Sequence, residues 1–305
     1  MNNSAVLLIN CPDRKGLVAR VSGLLYEWGA NILHADQHQD HAQGLFFMRV
    51  EWDLNGSASN VSAANGVGSG QDSDIHAAPF DLEGFKAAFA PLAAELGMQW
   101  SLTAENQPPR IALFCSHYLH CMADLLHRWR AGELQCEIPV IVSNHRDVEG
   151  LAAFYGIPFE HVPVAAETRA AAEARQLDLL ARYQVELVVL ARYMQVLSPV
   201  FVERYPSAII NVHHSFLPAF TGARPYHAAH ARGVKLIGAT SHYVTAVLDD
   251  GPIIEQDVAR ISHRDQVEDL VARGRDLERL VLSRAVRWHI ARRILCYGNK
   301  TVVFD

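Results

Sequence analysis

The stretch Ile209-Ile210-Asn211-Val212-His213-His214-Ser215-Phe216-Leu217-Pro218 opens as a buried strand and closes as a loop rich in polar side chains. Its first part, Ile209–Val212, is a short apolar run of the kind that lies inside a sheet covered on both faces. Three such runs precede it, at Ile111–Phe114, Ile138–Val142 and Leu187–Leu190. Helical stretches separate them at Met122–Arg130, Ala166–Arg182 and Pro199–Tyr205. Buried strands alternating with helices predict an α/β domain with a Rossmann-like, mostly parallel sheet. Two more strand-like runs follow Leu236, and then a long charged helix over about 266–294, with Gly274 as a point of interruption.

In an open α/β sheet, ligands sit beyond the carboxyl ends of the strands. That directs attention to Asn211 and His213, which alternate on one face of a strand and offer an amide donor and an imidazole. Together they can polarise a carbonyl and hold its oxyanion. Equally, Asn211 can close a turn and His213 can be a satisfied interior histidine. His214 should point the opposite way from His213. A second cluster is Thr240-Ser241-His242-Tyr243-Val244, followed by Leu248-Asp249-Asp250-Gly251-Pro252. Two carboxylates before Gly-Pro read as a tight surface turn. Covered by another loop, such a carboxylate serves as a general base. Nothing local in the sequence puts Asp249 beside His213.

Further out, the first hundred residues read as a ferredoxin-like βαββαβ unit. Strands are predicted over 5–9, 32–39, 45–52 and 100–103. Helices are expected where Leu17, Val21, Leu24, Leu25 and Trp28, and then Leu82, Phe85, Phe89, Leu92 and Leu96, recur at helical spacing. The Gly/Ser/Asn/Ala stretch at about 55–78 has almost no large apolar residue and reads as a mobile insertion. The polar, proline-terminated Glu105-Asn106-Gln107-Pro108-Pro109 reads as the boundary between domains 1–108 and 109–305.

Composition narrows the function classes. The 305 residues carry 27 Lys and Arg against 33 Asp and Glu, a formal charge of −6. An acidic chain repels phosphate, so no nucleic-acid partner is expected. No apolar run nears the ~20 residues of a membrane-spanning helix. The opening Met1-Asn2-Asn3-Ser4 lacks a basic n-region, so the expected location is the cytoplasm. The five cysteines are scattered with no C-x-x-C pair, which fits a reducing compartment and leaves Cys115 and Cys121 as packing residues. His34, His38 and His41 do not share one strand face, and His227 and His230 lie on a helix without an H-E-x-x-H pattern. No metal site is expected at either.

The pattern N-x-H-x-S-x-L-P-x-F-x-G from Asn211, with L-D-x-G-P at Leu248–Pro252, resembles the folate-dependent formyltransferases. Asn211, His213 and Asp249 fall on that family's catalytic Asn, His and Asp. The segment Leu190–Ser198 looks like its pterin-binding loop. The resemblance implies substrate contacts from Met194, Gln195, Val196, Leu197, Leu248, Asp250 and Gly222. The N-terminal unit, with Cys11-Pro12-Asp13-Arg14-Lys15-Gly16-Leu17-Val18, is similar to an ACT domain. An ACT domain ahead of this fold resembles the formyltetrahydrofolate deformylases. Such enzymes release formate and tetrahydrofolate from 10-formyltetrahydrofolate, and the formate feeds purine biosynthesis and balances one-carbon folate pools. The resemblance implies no cofactor, folate being the substrate. It also implies a small amino-acid effector at the ACT domain, with glycine and methionine as examples, and a homo-oligomer.

The transferases of that fold hold a phosphate-bearing amine with a glycine-rich loop after the first strand. Here the matching Cys115-Ser116-His117-Tyr118-Leu119-His120-Cys121 has no glycine, so no backbone cradle for an anion forms. That favours water as acceptor. His117 and His120 are candidates to line the site. Arg192 and Arg224 are candidates to meet the anionic tail of a folate. The reading from another class is an amino-acid sensor whose second domain is inert, against which stands the intact Asn211, His213 and Asp249 set.

Overall fold

The computed structural model describes residues 3–55, 80–105, 107–219 and 225–304. The insertion expected at 55–78 therefore falls almost wholly outside the described residues. Two compact units meet at Gln107/Pro108, and Phe304 groups with the first.

The first unit runs β1 (Ser4–Pro12), α1 (Leu17–Glu27), β2 (Asn31–Asp40), β3 (Leu45–Asp53), α2 (Leu82–Leu96) and β4 (Gln99–Ala104). Its antiparallel sheet has the order β2-β3-β1-β4. The helical spacing noted above places Leu17, Val21 and Leu25 of α1, and Phe85 and Phe89 of α2, on buried faces. They meet Ile9, Met48 and Trp52 from the sheet in one core. Asp81 caps α2 by accepting from the Gly84 N–H at 2.9 Å, and Gly97 ends it in the left-handed region at φ 64°.

The second unit begins with β5 (Arg110–Cys115), α3 (His120–Arg130), β6 (Glu137–Ser143), α4 (Glu149–Tyr155), β7 (Phe159–His161), α5 (Arg169–Arg182) and β8 (Leu187–Leu190). It continues through α6 (Pro199–Glu203), β9 (Ile209–His213), α7 (Pro225–Arg232), β10 (Leu236–Tyr243), β11 (Ile253–Arg260) and α8 (Val267–Ile290). It ends in a hairpin of β12 (Ile294–Tyr297) and β13 (Lys300–Val303). The sheet order is β11-β10-β9-β8-β5-β6-β7. β7, β6, β5, β8 and β9 are parallel, and β10 and β11 add antiparallel pairs. Strands buried on both faces, such as Leu187–Leu190, carry separate cores above and below the sheet.

Three differences from the sequence reading have local causes. The short α4 and β7 have too few residues to show a period. The last helix stops at Ile290, and Ile294 starts a strand, because Arg292 takes φ 50° and turns the chain. Gly274 does not interrupt that helix. A Cβ there would lie 2.1 Å from the Tyr226 hydroxyl, so the glycine admits a neighbour without bending the backbone.

Candidate active site

The site grows from strand register. β8 pairs parallel with β9, Leu190 opposite Asn211. β10 pairs antiparallel with β9, His242 opposite Asn211 and Thr240 opposite His213. Directly opposed residues, and residues two apart on a strand, share a face. Asn211, His213 and His242 therefore emerge on the same side. Asn211 Nδ2 lies 3.3 Å from His242 Nε2. His242 Nδ1 donates to the Tyr243 carbonyl at 2.9 Å. A carbonyl can only accept, so Nδ1 holds a proton, and the Nε2 lone pair accepts from the Asn211 amide.

Asp249 arrives from the turn after β10. The Tyr243 N–H donates to the Pro252 carbonyl at 2.9 Å, which folds the turn back on the strand. Gly251 permits this, since a Cβ would sit 1.7 Å from the Tyr243 oxygen. Asp249 takes φ 56°, a left-handed conformation that Asp tolerates better than most residues. Its Oδ2 is 3.2 Å from His213 Nδ1, and its Oδ1 is 3.7 Å from His242 Nε2. Hydrogen bonding to His213 outweighs burial and holds the carboxyl far below the usual carboxylate range. His213 is 6 % exposed, and its Nε2 is buried with no hydrogen-bond partner among the described residues. A buried ring nitrogen left unpaired marks a place for a ligand atom.

The loop past His213 is strapped in place. Thr240 Oγ1 donates to the Ser215 carbonyl at 2.9 Å and accepts from the Leu217 N–H at 3.1 Å. Contrary to strict alternation, His214 does not point away from His213. The strand ends at His213, and the two ring centroids are 5.1 Å apart.

After β8, Met194 and Val196 each expose about half of a large apolar side chain, and Gln195 is half-buried. Leu197 differs from expectation. It is 8 % exposed and packs in the core below the sheet, because the chain turns inward to start α6. Leu248 and Asp250 are exposed beside Asp249. Gly222 and Arg224 lie outside the described residues. His117 bonds Asp147 at 3.0 Å and stacks on His145, centroids 3.5 Å apart. His120 is turned to buried Glu278, its Nε2 2.7 Å from Oε2. Arg192, expected to meet an anionic tail, is 9 % exposed with Nε 3.5 Å from the same oxygen, so its charge already faces a carboxylate. Burial pushes the Cys115 thiol up to about 12 and Cys121 well above its ordinary value, which leaves both as neutral packing groups. His34, His38, His41, His227 and His230 are all exposed.

Sequence reasoning passed over His242 and Glu278. Antiparallel register could have found the first, since Thr-Ser-His-Tyr lies on a strand adjoining β9. Glu278 carries no such signal among the many charges of α8.

A family model for formyl transferases matches residues 109–286, and one for ACT domains matches residues 5–64. The chain is 51 % identical over 303 residues to formyltetrahydrofolate deformylase of Synechocystis sp., covering 99 % of both chains. It is 46 % identical over 300 residues to formyltetrahydrofolate deformylase of Bacillus subtilis, covering 98 % of this chain and 93 % of that one. A crystal structure of a formyltetrahydrofolate deformylase from Pseudomonas syringae pv. tomato superposes with a TM-score of 0.90 at 46 % identity, covering 100 % of this chain and 95 % of that one.

Proposed function

The chain belongs to the formyltetrahydrofolate deformylase family, and on that premise we propose that Asn211, His213 and Asp249 carry the hydrolysis of 10-formyltetrahydrofolate to formate and tetrahydrofolate. The observation that supports this assignment is the His213 ring, with Nδ1 on Asp249 and Nε2 buried and unpaired.

The formyl oxygen takes the place beside His213 Nε2 and the Asn211 amide. The His213 ring, oriented by Asp249, donates from Nε2, and Asn211 donates from Nδ2. Water attacks the formyl carbon and its proton passes to Asp249. An isolated carboxylate this acidic is a poor base. Its acidity, however, comes first from the hydrogen bond of His213. As negative charge grows on the formyl oxygen at Nε2, it weakens the pull of the ring on Asp249, and the affinity of Asp249 for the proton rises with bond formation. The tetrahedral carbon then expels N10, which takes the proton back from Asp249, and formate leaves. Every bond made and broken belongs to substrate, water and side chains, so the steps call for no cofactor.

Met194, Gln195, Val196, Leu248 and Asp250 flank the substrate in this reading. The ACT domain takes a small amino acid, with glycine and methionine as the compounds to try, and the chain acts as a homo-oligomer in the cytoplasm, its formate feeding purine synthesis. No described helix is long and apolar enough to cross a membrane. Product identity tests the central reading. Formate should appear from 10-formyltetrahydrofolate with no amine present. Strict dependence on added glycinamide ribonucleotide would assign a transferase instead. Thermal stabilisation by glycine or methionine is expected at the ACT domain, and its absence with both would make the module structural.

A further inference from the structure

Glu278, at the middle of α8, is 1 % exposed and is met by side chains from three other segments. Oε1 accepts from the Tyr226 hydroxyl of α7 at 2.7 Å. Oε2 meets His120 Nε2, at the start of α3, at 2.7 Å and Arg192 Nε, just after β8, at 3.5 Å. One helical turn earlier, on the same face, stands Gly274. Its missing Cβ makes the room in which the Tyr226 ring lies against the α8 backbone. Two positions of one helix are thus shaped to the same neighbour, one by removing atoms and one by offering an acceptor.

Arg192 gives the arrangement a direction. It takes φ 65°, a left-handed conformation that strains a residue with a side chain and persists only where its surroundings hold it. Three contacts hold it here. The Ser116 N–H donates to the Arg192 carbonyl at 3.1 Å, the guanidinium lies over the Tyr118 ring at 5.2 Å, and Glu278 draws the side chain inward. Two residues on, the Met194 N–H donates to Ser116 Oγ at 3.0 Å, and Ser116 Oγ donates to Asn144 Oδ1 at 2.7 Å. The backbone of the Met194–Val196 segment is therefore set at its first residue.

We propose that Glu278 is a positioning residue for the substrate loop: by holding the strained Arg192 inward it fixes how Met194 and Val196 face the substrate. This rests on the reading of that loop under the proposed function. Burial pushes Glu278 up, but the His120 hydrogen bond, the Arg192 guanidinium and the Tyr226 hydroxyl outweigh it and keep the group ionised. A buried ion pair adds little net stability compared with apolar packing, so its value here lies in direction.

Two variants test this. Glu278→Gln keeps the shape and the acceptor for Tyr226 but removes the charge opposite Arg192. Arg192→Gly accepts φ 65° without strain but has no guanidinium to hold. Both are measured for KM, kcat, Tm and backbone hydrogen exchange. The expected result in each is faster exchange at 192–197 with 138–142 unchanged, and KM for 10-formyltetrahydrofolate raised about tenfold while kcat moves far less. A lower Tm with exchange at 192–197 and KM both unchanged would make Glu278 merely structural and overturn the proposal. Faster exchange without a KM change would show that Glu278 holds the loop but that the loop does not meet substrate, which also overturns it. Asp249→Asn, assayed alongside, separates this from the reading of the catalytic set: retained formate release there would fail that reading whatever the loop does.

Discussion

Asp249 Oδ2 stands 3.2 Å from His213 Nδ1, while Nε2 of the same ring is buried with no hydrogen-bond partner among the described residues. One side of the imidazole is fixed and the other is kept for something else. A ring held in this way has its orientation set before substrate arrives, so little reorganisation is left for the reaction.

Asp249→Asn removes both the proton acceptor and the carboxylate that orients His213. Formate release should fall about 10²–10⁴-fold with KM little changed. Single-turnover formate measurement checks this, and wild-type release from the variant would sink the assignment of Asp249.

His242→Phe keeps a buried ring but takes away the acceptor for the Asn211 amide. Asn211→Ala should cost about 10²–10³ in kcat by loss of an oxyanion donor. The His242 variant should fall in the same direction by less, because the amide remains but is free to turn. Combined in a double mutant, the two losses should be clearly less than additive. Full additivity would mean that His242 acts independently of Asn211.

His289, in the last turn of α8, is half-buried, with Nδ1 2.7 Å from the Tyr243 hydroxyl. Burial, aided by Arg292, lowers its pKa from 6.5 to about 3. Between those values the unfolded chain binds a proton that the folded chain refuses. Stability from this group is thus whole above pH 6.5 and is lost as pH falls toward 3, with a slope of up to about 1.4 kcal/mol per pH unit. Urea midpoints compared for wild type and His289→Gln across pH 4–7 should converge as the pH drops. Parallel curves would show that His289 contributes nothing to the acid sensitivity.

Gly274→Ala sets two effects against each other. Alanine favours a helix interior over glycine by about 1 kcal/mol. Its Cβ, however, would lie 2.1 Å from the Tyr226 hydroxyl and 2.2 Å from Cζ, and overpacking of that kind costs about 1–3 kcal/mol. Net destabilisation is expected in thermal melts, with the loss reduced when Tyr226 is also cut to Ala. A variant as stable as wild type would show that Tyr226 moves away cheaply.

Much of the fold was legible because its signals are periodic. Ile111–Phe114 and Leu187–Leu190 are unbroken apolar runs, Ile209–Val212 is broken only by Asn211, and Phe85 and Phe89 recur at helical spacing, as burial on two faces and on one stripe require. The hairpin at Ile294–Val303 has no counterpart in the sequence reading, because its four-residue strands are too short to show alternation. Leu197 was placed at the substrate on its motif neighbours, and only the inward turn before α6 shows it to be core.

Sequence by itself determined the chemistry on offer: an amide and an imidazole two apart on a strand, an acidic turn closed by Gly-Pro, and a loop after β5 with no glycine. Tertiary structure decided which groups meet. Asp249 lies 36 positions beyond His213, and only the fold-back of the β10 turn brings the two to 3.2 Å. Glu278 lies 86 positions beyond Arg192 and reaches it only because α8 packs under the loop after β8. Periodicity reports the environment of a residue along its own element. Contacts between elements depend on register and packing, and these become fixed only when the whole chain closes on its core.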